Sequence, residues 1–221
     1  MAQAGADVDR RATGLSMAGD ARPVVDVRAL VPDDVDGAVD LLAQSMQDNP
    51  INVAVYGDDP ARRERATRRL FRTLLRTMTS QTPVVALDGD AVVGVAGIAP
   101  PGTCQPSGGQ RIRFLPGILA AGPRTAARMN RWLGAWAAHD PREPHSHFGP
   151  FAVDRNLQGQ GIGTQVLQWY SRQADEAGLV AYLETDKAIN VTLYQRHGFE
   201  VTADEDVLGV HCWYMRRPPR S

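Results

Sequence analysis

One stretch constrains this chain more than any other: Val153-Asp154-Arg155-Asn156-Leu157-Gln158-Gly159-Gln160-Gly161-Ile162-Gly163-Thr164. An apolar strand feeds a glycine-rich turn, and the turn opens a helix. Glycines let a backbone approach a ligand closely and turn several N–H groups inward. The helix N-terminus adds partial positive charge, so a pyrophosphate is a natural guest. The nucleotide class is narrowed by what is missing. A Walker loop needs Lys-Ser/Thr after its last glycine, and none follows Gly163. The dinucleotide fingerprint is G-x-G-x-x-G on an early strand. Here the spacing is G-x-G-x-G, two-thirds of the way along the chain. A plain strand–helix turn with capping glycines is the alternative reading of the same residues.

The rest of the chain supplies alternating strands and helices. Val24–Leu30 alternates as a strand, and Pro32-Asp33-Asp34 opens a helix with the stripe Val35, Ala38, Val39, Leu41, Leu42 and Met46. Asp48-Asn49-Pro50 stops it. Pro60 begins a second helix to about Thr79. Pro83–Leu87 and Ala91–Ala99 form a hairpin across Asp88-Gly89-Asp90. Pro100–Gly109 reads as turns, and 115–138 as helix broken at Gly122-Pro123. Then come a strand at Phe148–Val153, a helix at Gly161–Ala177, a strand at Leu179–Thr185, a short helix at Asn190–His197, and strands at Phe199–Ala203 and Gly209–Arg216. This order predicts an α/β (α+β) domain, a mixed sheet with helices on both faces. A length of 221 residues suits one domain with additions. Residues 1–22 lack periodicity and read as a disordered tail, leaving 23–217 as the domain.

A second motif stands about 30 residues downstream of the loop, roughly one βα unit: Leu193-Tyr194-Gln195-Arg196-His197-Gly198-Phe199. Together with Gln158-Gly159-Gln160-Gly161-Ile162-Gly163, it resembles the GNAT superfamily of N-acetyltransferases. Leu183-Glu184-Thr185, Asn190, and the ending Cys212-Trp213-Tyr214-Met215 look closest to the puromycin N-acetyltransferase-like branch. The resemblance implies the GNAT fold: a single mixed, mostly antiparallel sheet. It implies an acyltransferase with acetyl-CoA as co-substrate and a primary amine of a small molecule as acceptor, joined by direct attack in a ternary complex.

It also implies roles. The strand carrying Pro150 parts from its neighbour, and the backbone at Phe151, Ala152 and Val153 aligns the pantetheine arm. The loop residues Gln158, Gly159, Gln160, Gly161, Ile162, Gly163 and Thr164 hold the pyrophosphate. Glu184 takes a proton from the acceptor ammonium, directly or through water, and Tyr194 assists the leaving thiolate. The residues alone allow blander readings: a bulged strand, a strand-end acid, a core tyrosine. Asn190 either caps its helix or bonds the pantetheine. The usual family asparagine lies seven residues before the tyrosine, where this chain has Lys187, so Lys187 is an alternative contact for a CoA phosphate.

Other features are read as ordinary structure. Arg62, Arg63, Arg65, Arg68, Arg69, Arg72 and Arg76 make a basic helix face, taken as solvated rather than nucleic-acid binding. A net charge of -1 supports that. His145 and His147 point the same way on a strand, but no Cys or acidic pair lies at a suitable local spacing, so no metal is expected. Cys104 and Cys212 have no His/Asn neighbourhood in sequence that marks a nucleophile. Trp132 and Trp136, four apart, are expected in the core. No apolar run spans a membrane, Met1–Arg22 lacks a signal-peptide core, and two cysteines build no disulfide framework. The expectation is a cytoplasmic monomer or homodimer without nucleic-acid or membrane partners. Two rivals remain: a non-catalytic acyl-CoA-binding or regulatory module, and a protein or peptide N-acetyltransferase with a groove near Ala91–Pro101.

Overall fold

A computed structural model describes residues 23–77 and 81–220. The proposed tail at 1–22, and the last residues of the helix expected to reach about Thr79, lie outside these residues. Seven strands form one sheet in the order β1-β2-β3-β4-β5-β7-β6. They are β1 (Asp26–Ala29), β2 (Val84–Asp88), β3 (Ala91–Ala99), β4 (His145–Val153), β5 (Val180–Thr185), β6 (Glu200–Val207) and β7 (Val210–Arg217). Every neighbouring pair is antiparallel except β4 and β5. This is the mixed, mostly antiparallel sheet the sequence predicts.

The helices among the described residues are α1 (Val35–Met46), α2 (Pro50–Tyr56), α3 (Pro60–Thr77), α4 (Gly108–Ala120), α5 (Pro123–Ala138), α6 (Ile162–Glu176) and α7 (Ala188–Arg196). None is long and apolar enough to cross a membrane. They cover both faces of the sheet. On one face, α6 and α7 pack Ile162, Val166, Leu167, Tyr170 and Tyr194 onto Phe148, Ala181 and Leu183. On the other, α1 and α3 lay Ala38, Leu42 and Phe71 on Val85, Val95 and Ala152. Beside them α2 and α5 lay Ile51, Val55, Met129 and Trp132 on Tyr182, Cys212 and Tyr214. Trp132 meets Trp136 edge to face at 5.1 Å, as core packing predicts.

Several elements differ from the sequence reading. Asn49-Pro50 does not simply end a helix; Pro50 occupies the first turn of α2, where its missing N–H is harmless. The Ile51 N–H then donates to Asp186 Oδ2 at 2.8 Å, tying α2 to the end of β5. Helix α4 begins at Gly108, inside the stretch expected to be turns, and carries Pro116. Strand β4 begins at His145, three residues early, because parallel pairing with β5 extends it. The arginine face of α3 is also not simply solvated. Arg63 is buried, donating to the Gln47 and Gly57 carbonyls and to Asp48. Arg68 pairs with Asp40 and Glu64. The acids of α1 and its C-terminal turn thus absorb part of the basic face.

Candidate active site

Strands β4 and β5 pair at only three positions: His145 with Val180, Ser146 with Ala181 and His147 with Tyr182. From Phe148 and Leu183 onward they separate, and β5 continues against β7 as far as Thr185 and Trp213. Pro150, which has no N–H to donate, stands where the β3–β4 ladder is interrupted. The register between β3 and β4 shifts between Ala96 and Ile98. Gly97 sits there so close that a Cβ would lie 2.5 Å from the Gly149 carbonyl oxygen. At the far end Asp154 N–H donates to the Val93 carbonyl at 2.9 Å. An antiparallel ladder alternates, so Ala152 shares that side while Phe151 and Val153 turn their backbone groups into the gap. The Val153 carbonyl already accepts from Ser45 Oγ and Gln158 Nε2, each at 3.2 Å. The side chain of Gln158 therefore steadies the strand end.

The glycine loop follows. Asp154 accepts from the Asn156 N–H at 2.8 Å and starts a short 3-10 turn over Arg155–Leu157. Gly159 and Gly161 have φ of 81° and 90°, and Gly161 is the left-handed N-cap of α6. That conformation disfavours a side chain. The first helical bond runs from Gln165 N–H to the Gly161 carbonyl. The N–H groups of Ile162, Gly163 and Thr164 therefore have no acceptor within the helix. Ile162 is buried and anchors this turn to the core. A Cβ on Gly163 would touch the Phe151 ring at 3.4 Å, so loop and gap are adjacent. Orphan N–H groups beside left-handed glycines fit a pyrophosphate. Gln160 is exposed, and its amide bonds the Asn156 carbonyl.

The side chains flanking the gap divide between the two faces. Successive strand residues alternate, so Phe148, Ala181 and Leu183 face α6, whereas His145, His147, Tyr182 and Glu184 face α2 and α5. Glu184 Oε2 lies 2.8 Å from His147 Nε2, and the carboxylate side chain is 3% exposed. Its other oxygen has no hydrogen-bond partner among the described residues. Burial pulls the His147 imidazole toward neutrality, but the Glu184 charge and Cys104 outweigh it and raise its affinity for a proton. Tyr194, on α7, lies on the opposite face, buried beside Phe199. Burial, then the nearby Asp186 and Glu184 charges, push its phenol up, so it keeps its proton at neutral pH.

Asn190 is not the N-cap; Lys187 occupies that position. The Asn190 amide instead donates to Thr185 Oγ1 at 3.2 Å, joining α7 to the end of β5. The sequence reading of Cys104 also changes. Its sulfur lies 3.3 Å from His145 Nε2. The hydrogen bonds from His145 and His147 outweigh burial and pull the thiol down. His147 was missed as the neighbour of Glu184, and Cys104 as the neighbour of the two histidines. The only local signal was the His-x-His spacing, since Cys104 is 41 residues from His145.

The model of the acetyltransferase (GNAT) family matches residues 51–199, from α2 to the residue after the Gly198 turn. This chain belongs to the GNAT acetyltransferase family. It is an acyltransferase, and acetyltransferases of this family use acetyl-CoA as co-substrate. Solved structures share its fold. One, from Corynebacterium glutamicum, is described as histone acetyltransferase HPA2 and related acetyltransferase. It is 19% identical, with TM-score 0.65, over 89% of this chain and 97% of that one. The polyamine N-acetyltransferase of Drosophila melanogaster, which forms N-acetylagmatine, is 14% identical with TM-score 0.62, over 88% and 100%. Arylalkylamine N-acetyltransferase 2 of Aedes aegypti is 14% identical with TM-score 0.61, over 89% and 99%. In this acetyltransferase the glycine loop adjoins the parted strands, Tyr194 belongs to the core cluster on the α6/α7 side of the sheet, and Glu184 lies on the other face.

Proposed function

We propose that this acetyltransferase moves an acetyl group from acetyl-CoA to the primary amine of a small molecule, by direct attack in a ternary complex. The observation that carries the reading is the gap between β4 and β5, with a buried carboxylate on one face and a buried phenol on the other. The N–H groups at Ile162–Thr164 and the glycine turn bind the pyrophosphate. Phe151 to Val153 align the pantetheine through backbone groups, with the Phe151 peptide the main free partner. An N–H there also stabilises the oxyanion formed at the thioester carbonyl. Glu184, steadied by His147, accepts a proton from the acceptor ammonium, directly or through water. The neutral amine attacks the thioester carbonyl, and Tyr194 delivers a proton to the departing thiolate. Asn190 holds the Tyr194 helix to β5, and Lys187 at its N-cap is the contact for a CoA phosphate.

The acceptor approaches from the α2/α5 face. Tyr56, Trp132, Trp136, Tyr182 and Tyr214 line that side of the sheet. Among the described residues the Tyr56 and Tyr182 hydroxyls and both indole N–H groups have no hydrogen-bond partner. Aromatic faces beside a carboxylate suit an ammonium group. Two structural neighbours act on polyamines and arylalkylamines, which agrees with a small amine. The puromycin N-acetyltransferase-like motifs put antibiotic-like amines in the first panel. The domain spans 23–217 and works in the cytoplasm as a monomer or homodimer. The test is CoA thiol release across an amine panel with wild type and Tyr194→Phe. Turnover should fall about 100-fold in the variant, with the KM for acetyl-CoA nearly unchanged. Acetyl-CoA binding without thiol release from any amine would favour the non-catalytic module. Unchanged turnover in the variant would remove Tyr194 from the chemistry.

A further inference from the structure

We propose that Cys104, His145, His147 and Asp140 form a binding site for Zn2+ at the base of the parted strands. The proposal is independent of which acceptor the enzyme uses. The ligands come from three segments: the loop after β3, the loop after α5 and the first residues of β4. One ligand atom from each of Cys104, His145 and His147 lies within 4.8 Å of the others. A tetrahedral zinc ion with S and N ligands at about 2.3 and 2.0 Å places those atoms about 3.5 Å apart. Cys104 Sγ and His145 Nε2 are 3.3 Å apart, so this pair needs to move by only a few tenths of an ångström to hold the ion.

The surrounding bonds orient each donor. His145 Nδ1 is 2.9 Å from the Glu143 carbonyl and so carries the hydrogen, which leaves the Nε2 lone pair toward Cys104. His147 Nε2 is held by Glu184, which leaves Nδ1 as the ligand atom. Asp140 Oδ1 lies 3.8 Å from that Nδ1, buried and without a hydrogen-bond partner among the described residues. Its other oxygen accepts from Gln105 Nε2 at 2.7 Å. Imidazoles tied back to a carbonyl and a carboxylate are the usual outer shell of a zinc site. Thiolate with imidazole selects zinc over magnesium or calcium, which prefer oxygen alone. On binding, the Cys104 thiol releases its proton to solvent. One thiolate, one carboxylate and two neutral imidazoles then cancel the charge of the ion. A cavity of about 390 Å³, lined by Cys104, Gln105, Asp140 and His145, opens beside the cluster and provides the entry path. Local spacing does not register this set, because Cys104 and Asp140 arrive from other segments. The ion would clamp the loop after β3 onto β4 and fix the His147 tautomer that donates to Glu184.

The experiment uses full-length, tag-free protein stripped with a chelator and free of CoA. It is titrated with Zn2+ against a competing chromophoric chelator, and separately with Co2+. One equivalent of Zn2+ should bind at micromolar or lower free metal. Co2+ should give a near-ultraviolet thiolate charge-transfer band with the visible bands of a tetrahedral site. Cys104→Ser should abolish the thiolate band and weaken Zn2+ binding by at least about tenfold, whereas Cys212→Ser should leave both unchanged. Wild-type Cys104 should also be shielded from iodoacetamide by Zn2+, a readout that needs no variant. Failure of wild type to hold zinc, equal affinity in Cys104→Ser, or unshielded alkylation would overturn the site. Cys104 and His145 would then be a thiol–imidazole pair only.

Discussion

Substituting Gly97 with alanine tests whether the gap between β4 and β5 is held open by the close approach of β3 to β4. An added Cβ at Gly97 would lie 2.5 Å from the Gly149 carbonyl oxygen and 2.9 Å from Pro150 Cδ. A carbon–oxygen contact closer than about 3.3 Å is repulsive, so the strands would have to separate by about 0.8 Å. Both clashing groups belong to backbone or a proline ring, and neither can rotate away. The register shift between Ala96 and Ile98 already uses the slack in this ladder. The cost falls at the upper end of the range for overpacking, about 3 kcal/mol. For a chain of this size that lowers Tm by roughly 6–12 °C. Gly94 is the control. Its added Cβ would meet the Ala86 Cβ at 3.1 Å, which needs a shift of tenths of an ångström and costs under about 1 kcal/mol. Both variants are compared by thermal unfolding, without and with acetyl-CoA. At 100 times its dissociation constant a ligand adds about 2.7 kcal/mol. Gly97→Ala should lose part of this increment as well, because β4 moves at the gap. A Tm for Gly97→Ala within about 2 °C of wild type, or a larger loss in Gly94→Ala, would refute the reasoning.

Gly161→Ala addresses the loop. Its φ of 90° costs a side chain about 1–2 kcal/mol, and acetyl-CoA should protect the variant less than wild type in the same thermal assay. The Asp175–Arg217 pair yields a pH prediction. Arg217, 3% exposed, grips Asp175 through two bonds of 2.7 and 2.6 Å. The guanidinium hydrogen bonds outweigh burial and hold the Asp175 carboxyl below the usual carboxylate range. Its contribution is therefore complete above about pH 4 and is lost as pH falls through the folded-state value. Asp175→Asn should cost about 2 kcal/mol near neutrality, and urea unfolding should show the gap to wild type closing below pH 4. A gap that is constant with pH would rule out the ion pair as its source.

Much of the site was legible because its signals are local. Left-handed glycines at 159 and 161, the helix that follows, and the hairpin at Gly89 all follow from backbone preferences of single residues. The stripe Ala38, Val39, Leu41 and Leu42 is buried as its period requires. The helix at Pro50 was misread because a proline that ends one helix also suits the first turn of the next. Asn190 was misplaced because its helix starts two residues earlier, at Ala188. The start of β4 was late because its first three residues become a strand through pairing with β5, which periodicity cannot register.

Local preference and motif spacing thus determined the glycine turn, the alternation of strands and helices, and the family. Tertiary structure alone decided which polar side chains meet. His147 reaches Glu184 across 37 residues, and Cys104 reaches His145 across 41. Those contacts depend on strand register, because a slip of one residue would send His147 and Glu184 to opposite faces. A register is set by the packing of the whole sheet, so no short stretch of this sequence carries it.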